Sequence, residues 1–191
     1  GEEVADLAMG YLLCFAKNIC SIDRQIRNLY VWPKPVGMSL EGKTAGLGGL
    51  GNIGLALLKR LRVFGLKVVA YDPFVDWEKS TLEAQLANWP QRLKELDFLI
   101  LTCSLNSDNF EMLNEAALSA CKASCVVINV SRGGLIDEAA LVDALEAGKI
   151  GGAALDVFRQ EPLPQESALR GYENTILGSH NASNTREGVI R

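Results

Sequence analysis

Basic clusters and long apolar runs are both missing from this 191-residue sequence. Its 19 Lys and Arg residues are outnumbered by 23 Asp and Glu, which gives a formal net charge of −4, and they form no basic stripe. Because nucleic-acid binding depends on clustered positive charge, we expect no nucleic-acid partner. The longest apolar run, residues 7–16, is too short to cross a bilayer, and no signal-peptide pattern precedes it, so we expect no membrane partner.

Paired cysteines are missing too. The five cysteines are odd in number and include no C-x-x-C motif, which argues against a disulfide framework and against a zinc site. We therefore predict no bound metal and a reducing, cytoplasmic environment. Small molecules remain the expected partners.

Apolar residues are abundant, at 48% of the chain, which is enough for the core of one domain over residues 1–191. From Val4 to Leu29 they recur at spacings of three and four, which predicts one long amphipathic helix over residues 1–30. Prolines and a glycine at residues 33–37 end this pattern. The main body of the domain is predicted over residues 43–180.

Short apolar runs then alternate with helical segments. We predict strands at residues 43–48, 67–71, 98–102, 126–130, 152–157 and 175–177, and helices at residues 52–64, 90–96, 115–120 and 138–147. Strands this apolar are typical of a parallel sheet that crossover helices cover on both faces. The predicted fold class is α/β, a doubly wound parallel sheet of the Rossmann type preceded by the long amphipathic helix.

The first predicted strand runs into a glycine-rich turn that contains G-x-G-x-x-G twice, starting at Gly46 and at Gly49. We favour the second register, because the first would leave a strand of only about three residues. In this register Gly49 makes the tight turn, Gly51 lets the backbone approach a pyrophosphate, and Gly54 lets the helix pack on the strand.

The start of the next helix, with Asn52 and Ile53, is predicted to supply amide donors to the phosphates. Asp72 ends the second strand, where a carboxylate accepts hydrogen bonds from the ribose hydroxyls and repels a 2′-phosphate. The pattern therefore favours NAD over NADP. A glycine turn without a ligand, and an Asp that merely ends a strand before Pro73, remain the alternatives.

Three charged or titratable residues follow the later strands, at the edge where a doubly wound sheet places its ligand crevice. They are Arg132, Glu161 and His180, the single histidine of the chain. An imidazole exchanges protons near neutrality, and a nearby carboxylate favours its charged form. A guanidinium suits a substrate carboxylate. A solvated arginine, a surface acid and a structural histidine are the alternatives.

Five motifs occur in order along the chain: the turn from Gly49 to Gly54, Tyr71-Asp72-Pro73, Asn129-Val130-Ser131-Arg132-Gly133-Gly134, Asp156-Val157-Phe158 with Glu161-Pro162, and Ser179-His180. Together they closely resemble the D-isomer-specific 2-hydroxyacid dehydrogenases. The resemblance implies that Arg132 binds the substrate and that His180 is a general acid/base paired with Glu161. It also implies that Ser131 and Asp156 contact the coenzyme, Asp156 at the nicotinamide carboxamide.

The same resemblance implies hydride transfer between NAD and a D-2-hydroxy acid or 2-oxo acid, and a homodimer. It further implies a substrate domain made from both chain ends, which we expect to be absent from this chain. A non-catalytic NAD(H)-sensing dimer or corepressor is the competing interpretation, because fold alone does not fix function. A formate-dehydrogenase-like enzyme is disfavoured, since that subgroup pairs its histidine with glutamine.

The chain departs from the family pattern at two places near the predicted site. Thr102-Cys103-Ser104-Leu105 stands where family members usually carry a histidine and a proline, which predicts a different wall of the adenine pocket. Asn181-Ala182-Ser183-Asn184 replaces the usual small apolar residues after the histidine, so the substrate subgroup stays open.

Overall fold

The chain folds around one parallel sheet. Its strands are β1 Thr44–Gly48, β2 Lys67–Tyr71, β3 Gln85–Leu86, β4 Phe98–Leu101, β5 Val126–Asn129, β6 Gly152–Leu155 and β7 Thr175–Leu177. In the computed structural model, which describes residues 1–78 and 80–189, they lie in the order β3-β2-β1-β4-β5-β6-β7. Every neighbouring pair is parallel. From β1 the strand order runs to one edge of the sheet through β2 and β3, and from β4 it runs to the other edge through β5, β6 and β7. The switch point between β1 and β4 forms a crevice at the carboxyl ends of the strands.

Helices cover both faces of the sheet. They are α1 Glu2–Ala16, α2 Ile19–Leu29, α3 Asn52–Val63, α4 Glu115–Ala120, α5 Glu138–Glu146 and α6 Arg186–Val189. Two of them begin at side-chain caps: Asn114 accepts a hydrogen bond from the Ala117 amide at 3.0 Å, and Asp137 accepts one from the Ala140 amide at 3.2 Å. These caps satisfy amides that have no partner within the helix, so they stabilise the starts of α4 and α5.

Two hydrophobic cores lie on opposite sides of the sheet, because successive residues of a strand face opposite sides. Leu47 of β1 and Ile100 of β4 pack into the core under α1 and α3. Leu99 and Leu101 of β4 pack into the core under α4 and α5. Burial on both sides explains why these strands are continuously apolar, and the predicted fold class is confirmed. All six predicted strands are present, with ends within two residues of the prediction.

The predicted N-terminal helix is present, but its continuity over residues 1–30 is wrong. α1 ends at Ala16, α2 starts at Ile19, and their axes meet at 61°. Asn18 adopts the left-handed conformation at φ 55°, which asparagine tolerates better than most residues. The Met38 amide donates to the Ala16 carbonyl at 2.8 Å and so binds the end of α1 to the connector. Apolar spacing continues through this bend, so periodicity alone does not reveal it.

The helix predicted at residues 90–96 is also wrong. Only a 3-10 turn at Leu93–Glu95 forms there, because Arg92 adopts φ 66°, outside the α-helical region. Four further elements were not predicted, because they are too short to show a periodicity. They are β3, α6 and the 3-10 turns at Gly133–Leu135 and Ala168–Gly171.

Within residues 1–78 and 80–189, no single helix combines the length and apolar character that a membrane span needs. The bent pair of α1 and α2 has the required length and apolar character only when the two helices are counted together.

Candidate active site

The glycine-rich turn lies between β1 and α3, in the register that begins at Gly49. Gly49 has φ 112°, a conformation that side chains disfavour, and a Cβ there would lie 2.8 Å from the backbone of Cys103. A Cβ at Gly54 would overlap the carbonyl oxygen of Gly49, so the close packing of α3 on the turn requires glycine. Gly51 differs, because a Cβ there would meet nothing within 4 Å. Gly51 therefore leaves open space beside the start of α3.

Asp72 lies beside this turn, at the end of β2. One oxygen of its carboxylate accepts a hydrogen bond from the Leu50 amide at 2.7 Å, and the other accepts one from the Phe74 amide at 2.8 Å. The carboxylate thus holds the glycine turn in place, a role that sequence analysis missed. Each oxygen retains a second lone pair, which leaves capacity for hydroxyl donors.

A cleft of about 930 Å³ opens at the turn. The rings of Tyr71 and Trp89 meet edge to face in its wall, with centroids 5.3 Å apart. An aromatic wall of this kind suits a flat heteroaromatic ring. Trp89 lies in a loop without a recognisable motif, so no sequence signal pointed to it. Other lining residues are Gly49, Gly51, Asn52, Ile53, Asp72, Trp77, Cys103 and Met112.

The first departure from the family pattern lies in the same wall. The buried Thr102 hydroxyl lies 3.2 Å from the Gly48 carbonyl and 3.0 Å from the Gly49 carbonyl, so it binds β4 to the glycine turn. Burial raises the pKa of the Cys103 thiol to about 11, which keeps this side chain neutral beside the cleft. Thr102 therefore supports the turn from within the fold and Cys103 lines the cleft.

His180 and Glu161 form an acid–imidazole pair at the ends of β7 and β6. His180 Nδ1 lies 2.7 Å from Glu161 Oε2, while Glu161 Oε1 accepts the Phe158 amide at 3.0 Å. Burial disfavours the charged carboxylate. Hydrogen bonds from His180 and from the Phe158 amide, together with the charges of His180 and Arg132, nevertheless hold the pKa of Glu161 below its usual value. Because Nδ1 faces the carboxylate, Nε2 is the nitrogen left for proton exchange with another group.

Arg132 lies on the turn after β5, close enough to Glu161 for its charge to stabilise the carboxylate. The Asn129 side chain closes this turn by accepting the Ser131 amide at 3.1 Å and donating to the Arg132 carbonyl at 3.0 Å. A Cβ at Gly133 would overlap the backbone of Phe158, so glycine lets the turns after β5 and β6 approach each other. The Arg132 side chain is exposed at this edge of the sheet.

Ser131 and Asp156 are the least exposed of the predicted site residues that carry side chains, at 7% and 1%. The Ser131 hydroxyl donates to the carbonyl of Cys103, which links the turn after β5 to the wall of the cleft. The Asp156 carboxylate accepts the Asn181 and Ala182 amides, both at 3.2 Å. Its role at a nicotinamide carboxamide stays a prediction.

The predicted residues thus form two groups on one edge of the sheet. Gly49, Gly51 and Asp72 line the cleft at the ends of β1, β2 and β4. Arg132, Glu161 and His180 lie together beyond the ends of β5, β6 and β7, outside the lining of that cleft. Among residues 1–78 and 80–189, no three His, Cys, Asp or Glu side chains gather as metal ligands.

Comparison with known proteins identifies the family. Residues 9–182 match the NAD binding domain of the D-isomer specific 2-hydroxyacid dehydrogenases. The chain belongs to this family. The predicted resemblance is confirmed, and so is NAD as the coenzyme class of the domain.

Relatives and solved structures agree with this assignment. The chain is 37% identical to a glyoxylate reductase of Thermofilum pendens, matching 100% of this chain and 58% of that protein. It is 36% identical to the D-3-phosphoglycerate dehydrogenase of Rattus norvegicus, matching 98% of this chain and 35% of that protein. The NAD-complexed D-isomer specific 2-hydroxyacid dehydrogenase of Lactobacillus delbrueckii ssp. bulgaricus superposes with a TM-score of 0.87 at 25% identity, over 98% of this chain and 61% of that one. The chain therefore spans from about a third to three fifths of these relatives.

Proposed function

We propose that this chain is the coenzyme domain, over residues 1–191, of an NAD-dependent oxidoreductase that interconverts a D-2-hydroxy acid and a 2-oxo acid. The observation that carries the proposal is the 2.7 Å contact between His180 and Glu161 beside the guanidinium of Arg132. A sensor that only binds the dinucleotide needs the glycine turn but has no use for an acid–imidazole pair next to an arginine. This difference favours a catalyst over a sensor.

Each of these three side chains has a distinct proposed task. Arg132 orients the substrate carboxylate through paired, charge-assisted hydrogen bonds. His180 donates a proton to the oxo group during reduction and takes it back during oxidation. Glu161 fixes the ring and stabilises the imidazolium.

The residues at the cleft fit the coenzyme. Gly51 leaves room for a pyrophosphate beside the amides of Asn52 and Ile53, and Asp72 retains acceptors for ribose hydroxyls. Its negative charge disfavours a 2′-phosphate, so NAD is the proposed coenzyme. Ser131 and Asp156 are proposed to contact the nicotinamide half. Bound NAD(H) supplies or accepts the hydride.

Turnover by the full-length protein tests the proposal. We expect NADH to be consumed with at least one member of a series of 2-oxo acids of increasing side-chain size, beginning with glyoxylate. His180→Asn is expected to lower kcat by about 10²-fold or more, because the general acid is lost. NAD binding by calorimetry is expected to stay within about twofold of the unaltered protein, and binding of NADP to be weaker.

The control is Ser183→Ala, an exposed hydroxyl in the same loop that is expected to leave turnover unchanged. If the protein binds NAD(H) tightly but reduces no 2-oxo acid, the NAD(H)-sensing dimer replaces the dehydrogenase. If His180→Asn keeps full activity, His180 has no part in proton transfer.

We further propose that the protein is a cytoplasmic homodimer that acts on a small molecule, without a nucleic-acid or membrane partner. All five cysteines are free thiols, as a reducing compartment favours. α2 buries none of its residues, and large apolar side chains are exposed there and just beyond it. A second copy of the chain is the proposed cover for Ile19, Ile26, Leu29, Tyr30 and Trp32.

A further inference from the structure

The loop that carries His180 rests on the buried carboxylate of Asp156. The carbonyl of Asp156 accepts the His180 amide at 2.7 Å, and its two carboxylate oxygens each accept one further amide of the loop, from Asn181 and from Ala182, at 3.2 Å. Three consecutive amides of the loop thus donate hydrogen bonds to Asp156 in the neighbouring turn. His180 itself has φ 55°, a conformation that a non-glycine residue keeps only when its surroundings hold it.

Tyr11 of α1 lies close to the same carboxylate. Tyr11 is only 7% exposed, and its hydroxyl lies within hydrogen-bonding reach of the Asp156 carboxylate. A Cβ at Gly178 would overlap both the Tyr11 hydroxyl and Asp156 Oδ1, so these two atoms are neighbours across Gly178. Burial, and then the charge of Asp156 and its hydrogen bond, raise the pKa of Tyr11, which keeps the hydroxyl protonated as a donor.

A buried carboxylate needs donors on its oxygens, because an ionised group without them is costly to bury. Two donors on the Asp156 carboxylate are amides of an exposed loop, whereas the nearby hydroxyl of Tyr11 belongs to a helix that packs in the core. A hydroxyl on this helix is thus placed to orient the carboxylate, and the carboxylate in turn accepts two amides of the loop.

We propose that Tyr11 is a positioning residue, which orients the Asp156 carboxylate and through it holds the imidazole of His180 at the site. This inference rests on the proposed function, since it assumes that the position of His180 matters for turnover. It extends that function to a side chain on the first helix, which precedes all five motifs in the sequence.

Tyr11→Phe removes one oxygen atom and tests the proposal. In the full-length protein we expect kcat to fall about tenfold because the imidazole is misplaced. The Kd for ADP-ribose, which lacks the nicotinamide and needs only the cleft at the glycine turn, is expected to stay within about twofold. If Tyr11 only stabilised the fold, Tyr11→Phe would lower the melting temperature without reducing kcat selectively relative to coenzyme binding. Tyr172→Phe is the matched control: it also breaks a tyrosine–carboxylate hydrogen bond, to Glu146, but Tyr172 lies before β7, at the end of the sheet opposite His180.

A second readout does not depend on activity. The chain has one histidine, so the isotope-labelled 191-residue chain without a histidine tag gives a single set of imidazole signals in nuclear magnetic resonance. In Tyr11→Phe we expect these signals to move and the Asn181 and Ala182 amides to exchange with solvent at least about tenfold faster. Unchanged imidazole signals and unchanged amide exchange in this variant overturn the proposal.

The unaltered chain provides a check if Tyr11→Phe does not fold. Asn181 is exposed, so slow exchange of its amide requires the bond to Asp156, and exchange at the rate of a free peptide overturns the proposal. Failure of the proposed function has a different signature. In that case no 2-oxo acid is reduced, while the amide and imidazole measurements still report the contact between Tyr11, Asp156 and the loop.

Discussion

His180 is fixed at two points, its backbone amide and its ring. The amide donates to the Asp156 carbonyl and Nδ1 contacts Glu161 Oε2, both at 2.7 Å. A ring held through Nδ1 by a carboxylate presents Nε2 in a defined direction, which is the arrangement that general acid/base catalysis needs. The Glu161 carboxylate is itself fixed by the Phe158 amide, so the pair keeps its geometry although both side chains are partly exposed.

The pH dependence of turnover tests the pairing of His180 with Glu161. His180 lowers the pKa of Glu161, and interactions between titrating groups are reciprocal, so the ionised Glu161 stabilises the imidazolium. Replacing Glu161 with Gln removes that negative charge from beside the imidazole. We expect the pH profile of 2-oxo acid reduction by the full-length protein to shift toward the acid side, as initial rates across pH will show.

Glu166→Gln is the control, because Glu166 is an exposed acid in the same loop. An unshifted profile in Glu161→Gln would remove Glu161 from the proton-transfer pair. The ionisation of Glu161 also affects the stability of the fold. A carboxyl group whose pKa is lowered in the folded state stabilises the fold at pH values above its ordinary pKa. That contribution is lost as the pH falls through the lowered value.

At the scale of elements, the connection from β1 to α3 shows how much local pattern predicts. The spacing of the glycines placed the turn and the start of α3 correctly, because a side chain at Gly49 or Gly54 would clash with nearby backbone. The break between α1 and α2 and the missing helix at residues 90–96 were not predictable in this way. Both depend on a single left-handed residue, Asn18 or Arg92, that interrupts an otherwise helical pattern.

The second prediction separates the tasks of two glycines in that connection. Gly51→Ala adds a methyl group that meets nothing within 4 Å, so we expect an unchanged melting temperature and NAD binding weakened by about tenfold or more. Gly54→Ala places its methyl group on the Gly49 carbonyl, so we expect a loss of about 1–3 kcal/mol in the free energy of unfolding. Calorimetry and thermal unfolding measure the two effects.

Gly10→Ala is the matched control, since its Cβ also meets no atom within 4 Å but lies on the exposed side of α1. It is expected to leave NAD binding unchanged. Equal NAD binding by Gly51→Ala and the unaltered chain would show that the phosphates do not approach Gly51.

At the scale of the whole molecule, α2 is attached to the domain by polar bonds and not by a hydrophobic core. Arg24 donates to the Glu173 carbonyl at 2.8 Å and to the Thr175 carbonyl at 3.3 Å, at the edge strand β7. Three large apolar side chains of α2 remain exposed: Ile19 at 52%, Ile26 at 39% and Leu29 at 64%. A helix with this distribution is stabilised further when another surface covers it, which is the physical basis of the proposed homodimer.

The third prediction tests that surface. Changing Ile26 and Leu29 together to Lys is expected to convert a dimer into a monomer, because two charges would be buried at the interface. Sedimentation velocity of the full-length protein measures the change, and NAD binding is expected to stay as it was. Val63→Lys replaces a valine that is 85% exposed on α3 and is expected to leave the dimer intact. A double variant that still sediments as a dimer would place the interface elsewhere.

The sequence by itself determined the parallel sheet, the limits of six of its strands to within two residues, and the glycine register. These features follow from periodicity and from the close approach of Gly54 to Gly49. It also placed Arg132, Glu161 and His180 after their strands, since parallel strands end at the same edge. The pairing of Glu161 with His180 was expected from the family motifs, and the structure adds its 2.7 Å distance. Only the tertiary structure decided that Asp72 holds the glycine turn and that the Tyr11 hydroxyl lies close to Asp156. Those contacts join residues far apart in the chain, and packing of the two cores, which no local pattern encodes, brings them together.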